Sequence, residues 1–178
     1  MSASPTATGS TSFRATNSVA SSVSARRLER AQRRSRLRSP KPGGSGETVE
    51  AEYDGEHNDA GQPEGRGKIK FSSGEVYEGE FLGGKIHGVG SLRFTTGDVY
   101  TGQFKFDMMD GHGTYHLSDG EAMVGCCTQD TPTGVGAMWS VDRLKAWKLF
   151  DGQPVDEISP EAAAAIAERI GEPVPPPA

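Results

Sequence analysis

Two stretches decide how this chain reads: Tyr77-Glu78-Gly79-Glu80-Phe81 and, 23 residues later, Tyr100-Thr101-Gly102-Gln103-Phe104. In each, aromatic and glycine residues alternate with polar ones, the period of two that marks a half-buried β-strand. A second alternating run follows each stretch. Gly88, Gly90, Leu92 and Phe94 share a face opposite Val89, Ser91 and Arg93, and Gly111, Gly113, Tyr115 and Leu117 repeat that order. The triplet Gly-x-Gly also occurs at Gly65 to Gly67 and Gly134 to Gly136, so four copies stand 23 residues apart. Gly74, Gly97 and Gly120 keep the same interval, with Arg143 in the next position, and Tyr53-Asp54-Gly55 and Met123-Val124-Gly125 extend the Tyr-x-Gly series. An interval held through four copies marks a repeat array.

The links Ser72 to Glu75, Thr95 to Asp98 and Ser118 to Glu121 have the length and the glycine of tight hairpin turns. Each unit is therefore a β-hairpin, and four in series predict an antiparallel meander of about eight strands. Strands lie about 4.8 Å apart, so equivalent aromatics of successive units are about 10 Å apart. A glycine on the strand between leaves a slot into which a ring leans. This assigns a structural role to Tyr77, Gly79, Phe81, Gly88, Gly90, Tyr100, Gly102, Phe104, Gly111 and Gly113.

These residues resemble a MORN repeat, the membrane occupation and recognition nexus motif. Tyr77-Glu78-Gly79-Glu80-Phe81, Gly84, His87-Gly88-Val89-Gly90 and Gly97 carry the likeness, and the unit from Tyr100 follows it with Asp110 in place of the His. The first unit departs at His57, and the fourth at Met123, Cys127 and Arg143, as expected of end units that cap a stack. The resemblance spans about residues 53–142. It implies an elongated β-hairpin sheet that serves as a binding or scaffolding module. MORN proteins act at membrane contact sites, in flagellar and other cytoskeletal assemblies, and as regulatory parts of plant phosphoinositide kinases.

Beyond the repeats, Trp147-Lys148-Leu149-Phe150 reads as one more strand before the turn Asp151-Gly152. Ser159-Pro160-Glu161 is a helix start, with an N-cap serine, proline at the first position and an acid in the first turn. The helix should run to Ile170 and stop at Gly171. Ala162, Ala163, Ile166 and Ile170 form its apolar stripe. The stripe predicts a cap over the last hairpin near Trp139 and Trp147, with a docking helix for another protein as the alternative.

Composition agrees with a thin sheet. Of 178 residues, 24 are glycine, and Leu, Ile, Val and Phe together supply only 30, which disfavours a thick enzyme core. The net charge of -5 is a sum of opposites: residues 1–46 hold nine bases and one acid, residues 47–178 ten bases and 23 acids. The first segment, rich in Ser and Arg, is expected to be disordered for want of apolar surface. Its cluster of Arg26, Arg27, Arg30, Arg33, Arg34, Arg36, Arg38 and Lys41 is the candidate anionic-surface site. A transit peptide and an inert solvated tail are equal alternatives. The expected fold is mainly β, with a disordered basic arm at 1–46, a repeat sheet at 47–150, and a capping helix with a Pro-rich tail at 151–178.

Catalytic patterns are not met. His112 and His116 on one strand stand about 13 Å apart, too far to share one ion. Asp107 to Gly111 imitates the start of a calcium loop, but Ser118 occupies the position of the closing Glu. Cys126 should face outward and Cys127 inward, with no basic neighbour to activate either. No cofactor, metal or catalytic residue is assigned, and the chain reads as non-enzymatic. The leading expectation is a scaffold that docks a protein partner through its sheet, in a cytoplasmic or cytoskeletal setting, or in an organelle if 1–46 is a transit peptide. The alternatives are tethering to anionic membrane through the arm and service as an accessory module of a lipid kinase. Pairing of exposed edge strands would give a homodimer. Nucleic acid is disfavoured, because no aromatics interleave with the arginines.

Overall fold

The computed structural model describes residues 51–177, so the basic cluster from Arg26 to Lys41 lies outside the described residues. Among the described residues the chain forms ten strands and one helix: β1 (Ala51–His57), β2 (Pro63–Phe71), β3 (Val76–Leu82), β4 (Lys85–Arg93), β5 (Val99–Lys105), β6 (Met108–His116), β7 (Ala122–Thr128), β8 (Thr131–Trp139), β9 (Ala146–Phe150), β10 (Gln153–Ile158) and α1 (Pro160–Ile170). Each strand pairs antiparallel with its neighbours in sequence, giving one sheet in the order β1 to β10. The meander is borne out, with two corrections.

The first correction is its length. Sequence places the end of the sheet at residue 150, but Gln153–Ile158 adds a strand paired to β9 across a bulge at Val155. Pro154 within that segment reads as a breaker, yet proline is tolerated on an edge strand. The register also reveals a fifth ring position. Ile69 faces Tyr77, Leu92 faces Tyr100, Tyr115 faces Met123, and Met138 faces Trp147. Trp147 thus continues the tyrosine series, one residue later than the 23-residue interval predicts.

The two ends of the hairpins turn differently. At one end are the four-residue links with Gly74, Gly97 and Gly120. At the other end the first hairpin closes through residues 58–62 and the other four through two residues, both left-handed, as a type I′ turn requires. Two of these turns carry no glycine: Phe106 and Asp107 at φ 50 and 70, and Gln129 and Asp130 at φ 50 and 63.

The second correction concerns the faces. The inner face is apolar from end to end, with Tyr77, Phe81, Tyr100, Phe104, Tyr115, Met123, Met138 and Leu149 in one buried cluster and Trp147 packed against it. A second cluster lies on the other face and only at the C-terminal end: Val124, Ala137, Trp139 and Ala146 under Ala163 and Ala167 of α1. The helix therefore covers Trp139, while Trp147 points to the opposite side. Its closest contacts are Ala163 and Ala167, four apart on one helix face. Ile166 and Ile170 of the expected stripe are only partly buried. Alanine lets the helix axis approach the sheet, and the isoleucines flank the contact.

The caps of α1 follow the sequence reading. Ser159 Oγ accepts from Ala162 N–H at 3.2 Å. At the other end Gly171 at φ 79 and Glu172 donate to the carbonyls of Glu168 and Ala167, the paired bonds of a Schellman stop.

Candidate functional site

The inner face is built from tyrosines laid over glycines. Tyr77 covers Gly79 and Gly90 so closely that a Cβ on either would overlap its ring, and a Cβ on Gly113 would come within 2.5 Å of Tyr100 Cε2. Each tyrosine leans along its own hairpin, so the slot it fills belongs to its own unit and not to the next. The hydroxyl explains the choice of Tyr over Phe: Tyr53, Tyr77 and Tyr100 donate to the carbonyls of Glu56, Glu80 and Gln103, at 2.7, 3.0 and 3.3 Å.

The phenylalanines wedge between successive tyrosines. Phe81 lies edge-on to Tyr53 and Tyr77, with ring centroids 5.0 and 5.3 Å away, and Phe104 does the same to Tyr77 and Tyr100. Edge-to-face pairs contribute about 1 kcal/mol each beyond the area they bury. The ladder therefore ties neighbouring units together.

Gly88 and Gly111 act elsewhere. The pairing slips opposite Gly79–Glu80 and Gly102–Phe104, with the extra residues on β4 and β6. Gly88 and Gly111 lie within these bulges at φ 64 and 114, under the side chains of Glu80 and Gln103. Glu80 accepts from Val89 N–H at 3.3 Å, and Gln103 from His112 N–H at 3.0 Å.

Three carboxylates that sequence reading missed lock strand to strand at the turns: Asp107, Asp130 and Asp151, the last giving its N–H to the Gly134 carbonyl at 2.9 Å and accepting the Gly134 N–H at 2.7 Å. Asp107 donates its N–H to the Ile86 carbonyl at 3.0 Å and accepts the Ile86 N–H at 2.9 Å. Asp130 treats Met109 the same way, at 2.9 and 2.8 Å. The supposed calcium-loop start at Asp107 is therefore a turn clamp. Its repetition at Asp130, 23 residues on, was the available signal. One unit earlier the pair is Pro63 and Gly84. Proline has no N–H to give and glycine no carboxylate to receive it, and the bond from Gly84 N–H to the Pro63 carbonyl remains at 2.9 Å.

Arg143 was read only as a lost glycine. It holds the turn at φ 60, and its guanidinium bonds the carbonyls of Gly120 at 2.9 Å, Ser140 at 2.6 Å and Pro176 at 2.6 Å. Thr114 Oγ1 bonds Glu172 at 2.9 Å. Together they pin the Pro-rich tail to the sheet, and Pro175 is buried.

The titratable groups are tuned away from nucleophilic chemistry. Burial pushes the phenols of Tyr77, Tyr100 and Tyr115 far above their ordinary range. Burial, then Asp130, pushes the Cys127 thiol up to about 12. Burial, then Asp110 and Glu172, raises Cys126. Both cysteines are protonated thiols at neutral pH. No cluster of three metal-binding side chains occurs among the described residues, and no described helix is long and apolar enough to cross a membrane.

A family model described as MORN repeat matches residues 59–76, 77–99 and 100–122. The matched segments end at Ala122, where the tyrosine ladder gives way to Met123. No curated protein matches the chain.

Proposed function

This chain carries an array of MORN repeats, and from that premise we propose that it is a non-catalytic scaffold that docks a protein partner along its sheet. One observation carries the reading. The rings from Tyr77 to Tyr115 bury the inner face of their units, yet Leu82, Phe106 and Phe150, each at a two-residue turn, are 46%, 48% and 52% exposed. These turns stack along one edge of the sheet. Three of the four stacked two-residue turns thus present an exposed apolar side chain, the turn at Gln129 and Asp130 being polar, and such a surface suits another protein. Phe106 holds a left-handed turn position, φ 50, that glycine would take at lower cost. A cytoskeletal or flagellar assembly is the proposed setting.

The test is recovery of partners from cells by the tagged full-length chain and by a variant with Leu82, Phe106 and Phe150 all changed to Ser. Loss of the same specific partners, with circular dichroism unchanged, supports the edge. Undiminished recovery places docking elsewhere.

The second reading is tethering to anionic membrane through Arg26 to Lys41. It rests on nine bases against one acid in residues 1–46. Each base near such a surface contributes about 1 kcal/mol, whereas the 23 acids after residue 46 repel it. Sedimentation with phosphatidylserine vesicles, which should fall steeply with salt and vanish on deletion of 1–46, is its test. Service as an accessory to a lipid kinase would show as co-purifying activity.

A further inference from the structure

Among the described residues the sheet ends in two edge strands, β1 and β10, and only one of them is blunted. β10 carries Pro154 and a bulge at Val155, two devices that stop an edge from pairing. β1 has neither proline nor lysine in its seven residues, and its pairing slip against β2 leaves the extra residues on β2. An edge of that kind offers a row of main-chain N–H and C=O groups to a further strand.

The register of the array specifies what such a strand should carry. β1 corresponds to β3 one unit on, with Tyr53 in the place of Tyr77. β3 meets β2 without a slip: Ile69 faces Tyr77, Lys68 faces Glu78 and Arg66 faces Glu80. Lys68 Nζ lies 3.4 Å from a Glu78 carboxylate oxygen. Moved back one unit, the same register puts an apolar residue opposite Tyr53 and cations opposite Asp54 and Glu56. Glu52 stands where Val76 does, across from the position of Lys70, and so adds a third acid to that face.

The rings on the inner face point the same way. On this side every later ring position is faced by a large side chain: Ile69 on Tyr77, Leu92 on Tyr100, Tyr115 on Met123 and Met138 on Trp147. Tyr77 and Tyr100 are buried, whereas Tyr53 is half-buried. Phe81 is held between two tyrosines. His57, in the corresponding place, meets Tyr53 edge-on at 5.0 Å and is otherwise exposed. β1 is therefore an open edge with an uncovered ring on one face and a row of acids on the other.

We propose that β1 is the docking site for an extended basic segment of a partner protein, which adds to the sheet as an antiparallel strand. Its side chains follow the order Arg66-x-Lys68-Ile69-Lys70 of β2, with the apolar residue on Tyr53 and the cations across from Glu56, Asp54 and Glu52. In strand addition the main-chain bonds give affinity and the alternate side chains give selectivity. A second copy does not fit. Its edges bring Glu52, Asp54 and Glu56, or Asp156 and Glu157, and like charges placed opposite one another repel. The chain's own Arg34-Ser35-Arg36-Leu37-Arg38 has the required order. Pairing in cis would need residues 39–50 as its loop, whereas the array's links run from two residues (83–84) to six (140–145). The inference goes beyond the scaffold reading and does not rest on the row at Leu82, Phe106 and Phe150.

The test uses the full-length chain and a fluorescent peptide copying Pro63–Phe71. Anisotropy reads binding, and amide hydrogen exchange reads its place. The control is a peptide of the same composition with its cations made contiguous, because a region with ten bases and 23 acids attracts any basic peptide. The alternating peptide should bind about tenfold tighter than the control, the combined weight of several cross-strand pairs. It should slow exchange across residues 51–57 and leave β10 unchanged. Asp54→Lys in the chain should weaken binding, and Lys68→Glu in the peptide should restore it, a rescue that a misfolded variant does not give. Absence of binding, equal affinity for the two peptides, or protection elsewhere than β1 overturns the proposal. So does binding that emerges only on deletion of residues 1–46, which would mean that Arg34 to Arg38 already closes the edge.

Discussion

Gly113 shows what a single residue decides here. Its missing Cβ is space already taken by the ring of Tyr100. Gly113→Val must expel that ring, which costs about 3 kcal/mol and returns the Tyr100 phenol toward ordinary titration. Gly134 holds the first place of the fourth triplet, but nothing lies within 4 Å of its Cβ position. Gly134→Ala should cost only about 1 kcal/mol, the penalty of its left-handed backbone, and leave Tyr100 unchanged. Urea midpoints and phenol titrations of the two variants separate a packing glycine from a conformational one. The alternation at Tyr77 to Phe81 was legible because side chains on a strand alternate by geometry alone. The roles of Asp107 and Asp130 were not. A carboxylate's meaning depends on which N–H it meets, and Ile86 and Met109 lie 21 residues away.

At the scale of elements, turns and caps were readable and partners were not. Ser159, Pro160 and Gly171 announce α1 through local hydrogen bonding, and the structure places them so. Which face of the sheet α1 covers depends on which tryptophan points toward it. Trp139 and Trp147 sit on adjacent strands with opposite orientation. The last turn shows the same division. Arg143 occupies a glycine position because its guanidinium ties down the tail. Arg143→Gly should relieve the turn yet release residues 172–177. The backbone order parameter of Val174 is then expected to drop below about 0.6 while the strands keep theirs. An unchanged Val174 would show that Thr114 and the helix stop suffice to hold the tail.

Across the whole molecule, the array is held by rings that stay protonated. The ordinary phenol value is 10.0, and burial raises Tyr77, Tyr100 and Tyr115 above it. Above that pH the unfolded chain releases these protons while the folded chain keeps them, so stability falls as pH rises past about 10. Below it the contribution is complete. Phenolate absorbance of the three rings should therefore appear together with loss of the β-sheet circular dichroism. Phenolate appearing near pH 10 with the sheet intact would mean that the ladder is open to water.

The amino-acid sequence by itself determined the strands, the hairpin turns, the 23-residue stacking and the caps of α1. These follow from alternation, turn chemistry and capping, which act over a few residues and repeat from unit to unit. Tertiary structure alone decided the strand beyond Pro154, the second apolar cluster beneath α1 and the tail pinned by Arg143. Each depends on groups distant in the chain, such as Thr114 and Glu172, 58 residues apart. Local propensity carries no information about such pairs until the sheet has brought them together.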